Sequence, residues 1–170
     1  SIGFSRASGR EMANQSQVLD EELKMRDEYV PQLTTKSVDD WRKMADKLRK
    51  EFSPNGFGAL RYNRNLRVLN FLSLNTYFQV DGALKSGNLT SAEHFLQIYA
   101  LIDPENAEHA YLLGVVRMRQ GRPKEAMQAL QQAQKLKFKD VARLESDPEF
   151  AGIHREKEFI ELLDELRRSE

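Results

Sequence analysis

SLNTYFQVDGALKSGNLTSAEHFLQIYALIDPEN, residues 73–106, and AEHAYLLGVVRMRQGRPKEAMQALQQAQKLKFKD, residues 107–140, are two 34-residue segments that lie over one another without a gap. The overlay brings Gly87 onto Gly121, Ala92 onto Ala126, Leu96 onto Leu130 and Tyr77 onto Tyr111. Glycine ends a helix by taking the left-handed conformation, and a small alanine lets two helices cross closely. Thr90 with Glu93 reads as a capping box for the second helix of the first unit, and Asp103-Pro104 closes that helix. In the second unit Pro123 stands where a first-turn proline is tolerated. A period of this length with this turn chemistry spells stacked helix-turn-helix units.

These residues resemble the tetratricopeptide repeat family: Leu113-Gly114 in a first helix, Ala126 and Ala133 in a second, and Pro104 at the junction between units. The first unit departs from that pattern, with Val80 where the family glycine is usual and Tyr99 where the small alanine is usual, so looser packing is expected there. Residues 73–140 make up 68 of 170, and stacked repeats need about three units, so the remainder is expected to cap them. The resemblance implies an all-α fold. It would be a right-handed helical stack, an α-α superhelix, with extra N-terminal helices and a C-terminal capping helix.

Outward from the repeats, residues 1–14 show no apolar period and read as a flexible tail. Val18, Leu19, Leu23, Val30 and Leu33 recur at helical spacing, which predicts an amphipathic helix from Gln15 that Pro31 ends or kinks. Ser37 with Asp40 approximates a capping box before the stripe Trp41, Met44, Ala45, Leu48 and Phe52, and Pro54-Asn55-Gly56 stops that helix. A third run from Phe57 towards Ser86 is apolar on more than one face. Residues 15–72 therefore form an N-terminal helical segment packing on the repeats, and residues 141–170 a C-terminal cap. In that cap Asp147-Pro148 starts a turn before an amphipathic helix of Phe159, Ile160, Leu162, Leu163 and Leu166. The run from Asp103 to Phe159 also resembles the tail of secreted or periplasmic bacterial repeat lipoproteins, which would place the chain in the cell envelope; the cytoplasm stays open.

Lysine plus arginine and aspartate plus glutamate each number 26, so no bulk attraction to nucleic acid is expected. Cysteine is absent, which removes disulfides, thiolate metal sites and cysteine nucleophiles. The apolar stretch Leu66 to Leu84 is broken by Arg67, Asn70, Asn75, Gln79 and Asp81 and cannot span a membrane. His94, His109 and His154 match no metal-ligand spacing, and Gly56 and Gly58 are not followed by a phosphate-loop lysine. No catalytic residue and no cofactor is implied. Arg61, Arg64 and Arg67 fall on one helical face, read as a solvated or intramolecular ion-pairing row or as a contact for an acidic partner or RNA.

The family's ligands lie along the wall made by the first helix of each unit. The resemblance carries this over to Leu74, Tyr77, Asp81, Leu84 and Lys85, and to Glu108, Tyr111, Val115, Met118 and Arg119. Two tyrosines one unit apart with basic neighbours would suit a peptide or helix of a protein partner, whose identity the sequence does not give. The chaperone-tail clamp of some members is not expected, because Tyr77 and Asp81 stand where it would begin. The expected function is a non-catalytic interaction scaffold or adaptor. The alternative is a structural helical domain whose groove is filled by its own residues 15–56, supporting a neighbouring domain or self-assembly.

Overall fold

The computed structural model describes the backbone of residues 2–169 and the side-chain environments of residues 14–169. The chain divides into two compact units, Ser1–Thr76 and Tyr77–Glu170. The described residues are helical throughout with no strand, as the hydrophobic periods require.

The first unit holds α1 (Ile2–Tyr29), α2 (Gln32–Thr35), α3 (Val38–Lys50) and the start of α4 (Ala59–Lys85). Helix α1 is assigned from Ile2 rather than Gln15, and the tail expected over residues 1–14 falls largely on residues 1–13, whose side chains lie outside those described. Pro31 separates α1 from α2 because it has no N–H to continue the ladder. The Ser37 hydroxyl accepts the Asp40 N–H at 3.0 Å and starts α3, as its sequence indicates. Trp41, Ala45 and Leu48 form the buried stripe, and the Trp41 indole donates to the Gln32 carbonyl at 2.9 Å.

The stripe expected on α1 is corrected by the structure. Val18 and Leu33 are buried, but Leu19 and Leu23 are 54% and 57% exposed. Residues one and five positions past Val18 lie about 100° to 140° round the helix from it, so the three cannot share a face. The inward position is taken by Glu22, which is buried and accepts from Arg67 at 2.6 Å and from Arg26 at 2.9 Å. Arg61 donates to Glu21 at 2.7 and 3.1 Å, and Arg64 pairs with the same carboxylate while donating to Asn65. Asn65 in turn donates to Glu51 at 2.8 Å. The arginine row is thus an intramolecular ion-pairing face. Contacts from Glu21 to Arg61 and from Arg26 over the Phe71 ring at 4.4 Å show α1 and α4 running in the same direction.

The second unit contains the end of α4, α5 (Leu89–Ile102), α6 (Glu108–Arg119), α7 (Pro123–Lys135), α8 (Val141–Ser146), a 3-10 turn at Pro148–Ile153, and α9 (Lys157–Arg168). Gly87 and Gly121 have φ of 74° and 71°, the left-handed conformation that the repeat alignment requires of them. The cap of α5 lies two residues before the expected box: Asn88 accepts from the Ser91 N–H at 3.0 Å, while Glu93 turns to Arg117. Asp140 caps α8 by accepting the Arg143 N–H at 3.1 Å, and Asn106, one period earlier and one residue before the N-cap of α6, accepts the Glu108 N–H at 3.0 Å. Ala92 and Ala126 are fully buried. Val80 and Tyr99 are buried too, so the two off-pattern residues are packed in, with the Tyr99 hydroxyl accepting from Asn106 at 3.1 Å. In α9, Phe159, Leu162, Leu163 and Leu166 face inward and Ile160 faces out.

Candidate functional site

The expected wall separates into an occupied part on α6 and an accessible part on α4. Tyr111 has 0% of its surface exposed. Its ring stacks on Phe138 at 5.0 Å between centroids and meets Phe150 edge-on at 5.5 Å, while the Arg143 guanidinium lies 4.0 Å over it. Its hydroxyl donates to Asp147 at 2.6 Å. Burial first, then this bond to a carboxylate, drives the phenol pKa far above its usual 10.0, so the ring stays neutral.

The neighbours of Tyr111 are engaged by the same C-terminal segment. Glu108 receives both arms of Arg143 at 2.7 Å. Val115 is buried and Met118 lies against Gly152, 3.5 Å from where a β-carbon there would stand. Arg119 forks onto Glu149 at 2.6 and 3.1 Å and also donates to the Leu84 carbonyl at 2.7 Å, a cation on the last turn of α4. Gly114 completes the seat: a β-carbon there would come within 3.3 Å of both Leu130 and Phe150. The α6 half of the wall is therefore covered by α8 and the Pro148–Ile153 turn. The cause is Pro148, which breaks the helix after Ser146 and sends Phe150 back onto α6.

On α4 the picture differs. Leu74 belongs to the first unit and is exposed. In the second unit Tyr77 and Leu84 are half-buried, and Asp81 pairs with Lys85 at 2.8 Å. Phe78, missing from the wall as read from sequence, is 58% exposed and meets Tyr77 edge-on at 5.8 Å. Its position directly after the repeat tyrosine, off the inward stripe, was the available signal. Tyr77, Phe78, Asp81, Leu84 and Lys85 occupy one helical face at the i, i+1, i+4, i+7, i+8 positions.

Among the described residues no group of three or more histidines and carboxylates is placed to hold a metal ion. A cleft of about 430 Å³ lies between the start of α7 and the start of α9, with Met127, Ile153, Glu156 and Lys157 among its lining residues.

Residues 83–146 match the model of the tetratricopeptide repeat family. Over this segment the chain is similar to the tetratricopeptide repeats. Tetratricopeptide repeats are generally protein-interaction modules and are typically non-enzymatic scaffolds, and the all-α helical stack of the second unit agrees with that class. The match takes in Gly87, Gly114, Gly121, Ala126 and Ala133, each in the role that the repeat geometry assigns it. No curated protein and no solved structure matches the chain. Among the described residues no helix is long and apolar enough to cross a membrane.

Proposed function

We propose that the tetratricopeptide segment is a non-catalytic adaptor that holds a short helix or peptide of another protein against the end of α4. The observation that carries this reading is Phe78, more than half exposed beside Tyr77, with the Asp81–Lys85 pair on the same face. A partner side chain covering Phe78 would gain roughly 1.5–3 kcal/mol from its burial, enough for an anchor. Asp81 and Lys85 would orient a partner that carries both signs of charge. Relative to the ten-residue wall read from sequence, the reading rests on Tyr77, Asp81, Leu84 and Lys85 with Phe78 added. Glu108, Tyr111, Val115, Met118 and Arg119 serve the closure by α8 and the Pro148–Ile153 turn.

A photo-cross-linking phenylalanine analogue at position 78 tests this in the full chain, with the same analogue at exposed Gln128 as control. A discrete partner captured at 78 and absent at 128 is expected, and Tyr77→Ala should weaken it about tenfold. Equal capture at both positions would sink the assignment.

A second reading is favoured by the covered Tyr111. The domain would then be structural, its wall closed by its own chain and its role the support of a neighbouring domain. Removing residues 141–170 separates the readings. Aggregation through the uncovered Tyr111 and Val115 supports closure as structural, whereas a soluble chain with stronger partner capture supports an adaptor that the cap regulates.

A further inference from the structure

The turn between α3 and α4 brings together the groups for a chemical change in its own chain. Asn55 precedes Gly56, whereas every other asparagine of the chain precedes a residue with a β-carbon. Asparagine is thermolabile because the backbone nitrogen of the next residue can attack its side-chain amide. A β-carbon on that next residue crowds the attack, and glycine has none.

The turn leaves these groups open. Asn55 and Gly56 are exposed, and Phe57 after them is 107% exposed. Among the described residues neither the Asn55 side-chain amide nor the Gly56 N–H makes a hydrogen bond, while the Asn55 N–H donates to the Ser53 hydroxyl at 3.2 Å. Asn65, Asn75, Asn88 and Asn106 differ, because a hydrogen bond holds each of their side chains in place. Asn55 is extended, with ψ of 156°, and rotation about that bond and χ1 brings the Gly56 nitrogen to the side-chain carbon. Gly56 has nothing within 4 Å of where a β-carbon would stand, so no neighbour opposes the rotation.

We infer that Asn55-Gly56 is a site of spontaneous deamidation in the folded chain. Hydroxide takes the Gly56 amide proton, and the nitrogen attacks Cγ of Asn55. The N–Cγ bond forms, the Cγ–Nδ2 bond breaks, and Nδ2 takes a proton from water and leaves as ammonia. The product is a five-membered succinimide. Water then opens the ring at one of its two carbonyl carbons. Breaking the N–Cγ bond gives an aspartate at position 55, and breaking the bond from Gly56 nitrogen to the main-chain carbon of residue 55 gives an isoaspartate. Nothing is oxidised or reduced. Either product adds one negative charge to a chain whose formal net charge is +0. The change stays local, because α3 and α4 are joined across the turn: Asn65 donates to Glu51 at 2.8 Å, and Arg64 lies over the Phe52 ring at 5.6 Å.

Peptide mapping by mass spectrometry tests this on the full folded chain, incubated at pH 6 and at pH 8. The peptide containing position 55 should gain about 1 Da, the difference between an amide and a carboxyl group. The gain should be at least about tenfold faster than at any other asparagine and faster at pH 8 than at pH 6. A methyltransferase that labels isoaspartyl groups should mark the same peptide. Asn55→Gln should remove both signals and the acidic satellite on isoelectric focusing, with an unchanged circular dichroism spectrum. No gain at position 55 overturns the inference, as does a gain that appears only in urea, where the folded turn is lost. A product without isoaspartate also overturns it, because direct hydrolysis would then have bypassed the ring.

Discussion

Tyr111 shows how one side chain can change role between a sequence and its fold. Its place in the repeat marks it as an anchor for a ligand, and its surroundings make it an anchor for the chain itself. Tyr111→Phe keeps the stacking but leaves Asp147 without its donor at 2.6 Å, which should cost about 1–2 kcal/mol in urea unfolding. Tyr111→Ala should cost roughly 3–5 kcal/mol, because an enclosed ring is removed. The raised phenol pKa has a direction that can be checked. A group whose folded pKa lies above its unfolded 10.0 gives stability that is complete below pH 10 and lost as pH rises further, so alkaline unfolding should be steeper in the native chain than in Tyr111→Phe. Lys137 is the other informative residue, with φ of 72° at the end of α7 where a glycine would be unstrained. Lys137→Gly should stabilise the domain by about 0.5–1 kcal/mol.

At the level of elements, helix ends were legible where their chemistry is local. Ser37, Gly87, Gly121 and Pro123 do what their sequence neighbours require. The cap at Asn88 was missed because a Thr90–Glu93 spacing competes with it two residues away, and Glu93 is drawn off by Arg117 at 2.9 Å, a partner 24 positions on. The same pair sets a pH response. Hydrogen bonding from Arg117, and then from Gln120, holds Glu93 below the usual 4.5, and Arg61 does the same for Glu21. A depressed carboxylate stabilises the fold above pH 4.5, and that gain fades as pH falls through its folded value. Glu93→Gln should therefore lower stability at pH 7 while flattening its decline under acid, measured as thermal midpoints from pH 7 to pH 3.

For the whole molecule, the period and the helical class could be read from the chain because each rests on contacts within one 34-residue unit. The reach of the accessible face could not. Covering Tyr111 depends on Asp147 and Phe150, which lie 36 and 39 positions downstream and come back only because Pro148 interrupts a helix. Helical spacing alone sets Leu19 and Leu23 apart from Val18, but it does not say which side packs inward, because the buried row takes in the charged Glu22.

Asn106 and Asp140 close successive periods, each with a side-chain oxygen that accepts a backbone N–H at the start of the next helix, from Glu108 two residues on and from Arg143 three residues on. The seam after Asp140 thus repeats, one period on, the polar junction after Asn106. A duplicate of residues 107–140 spliced in at that point would find a matching socket on one side and the original α8 and α9 on the other. Such an insertion would lengthen the array by one unit and keep the same stopper at its end.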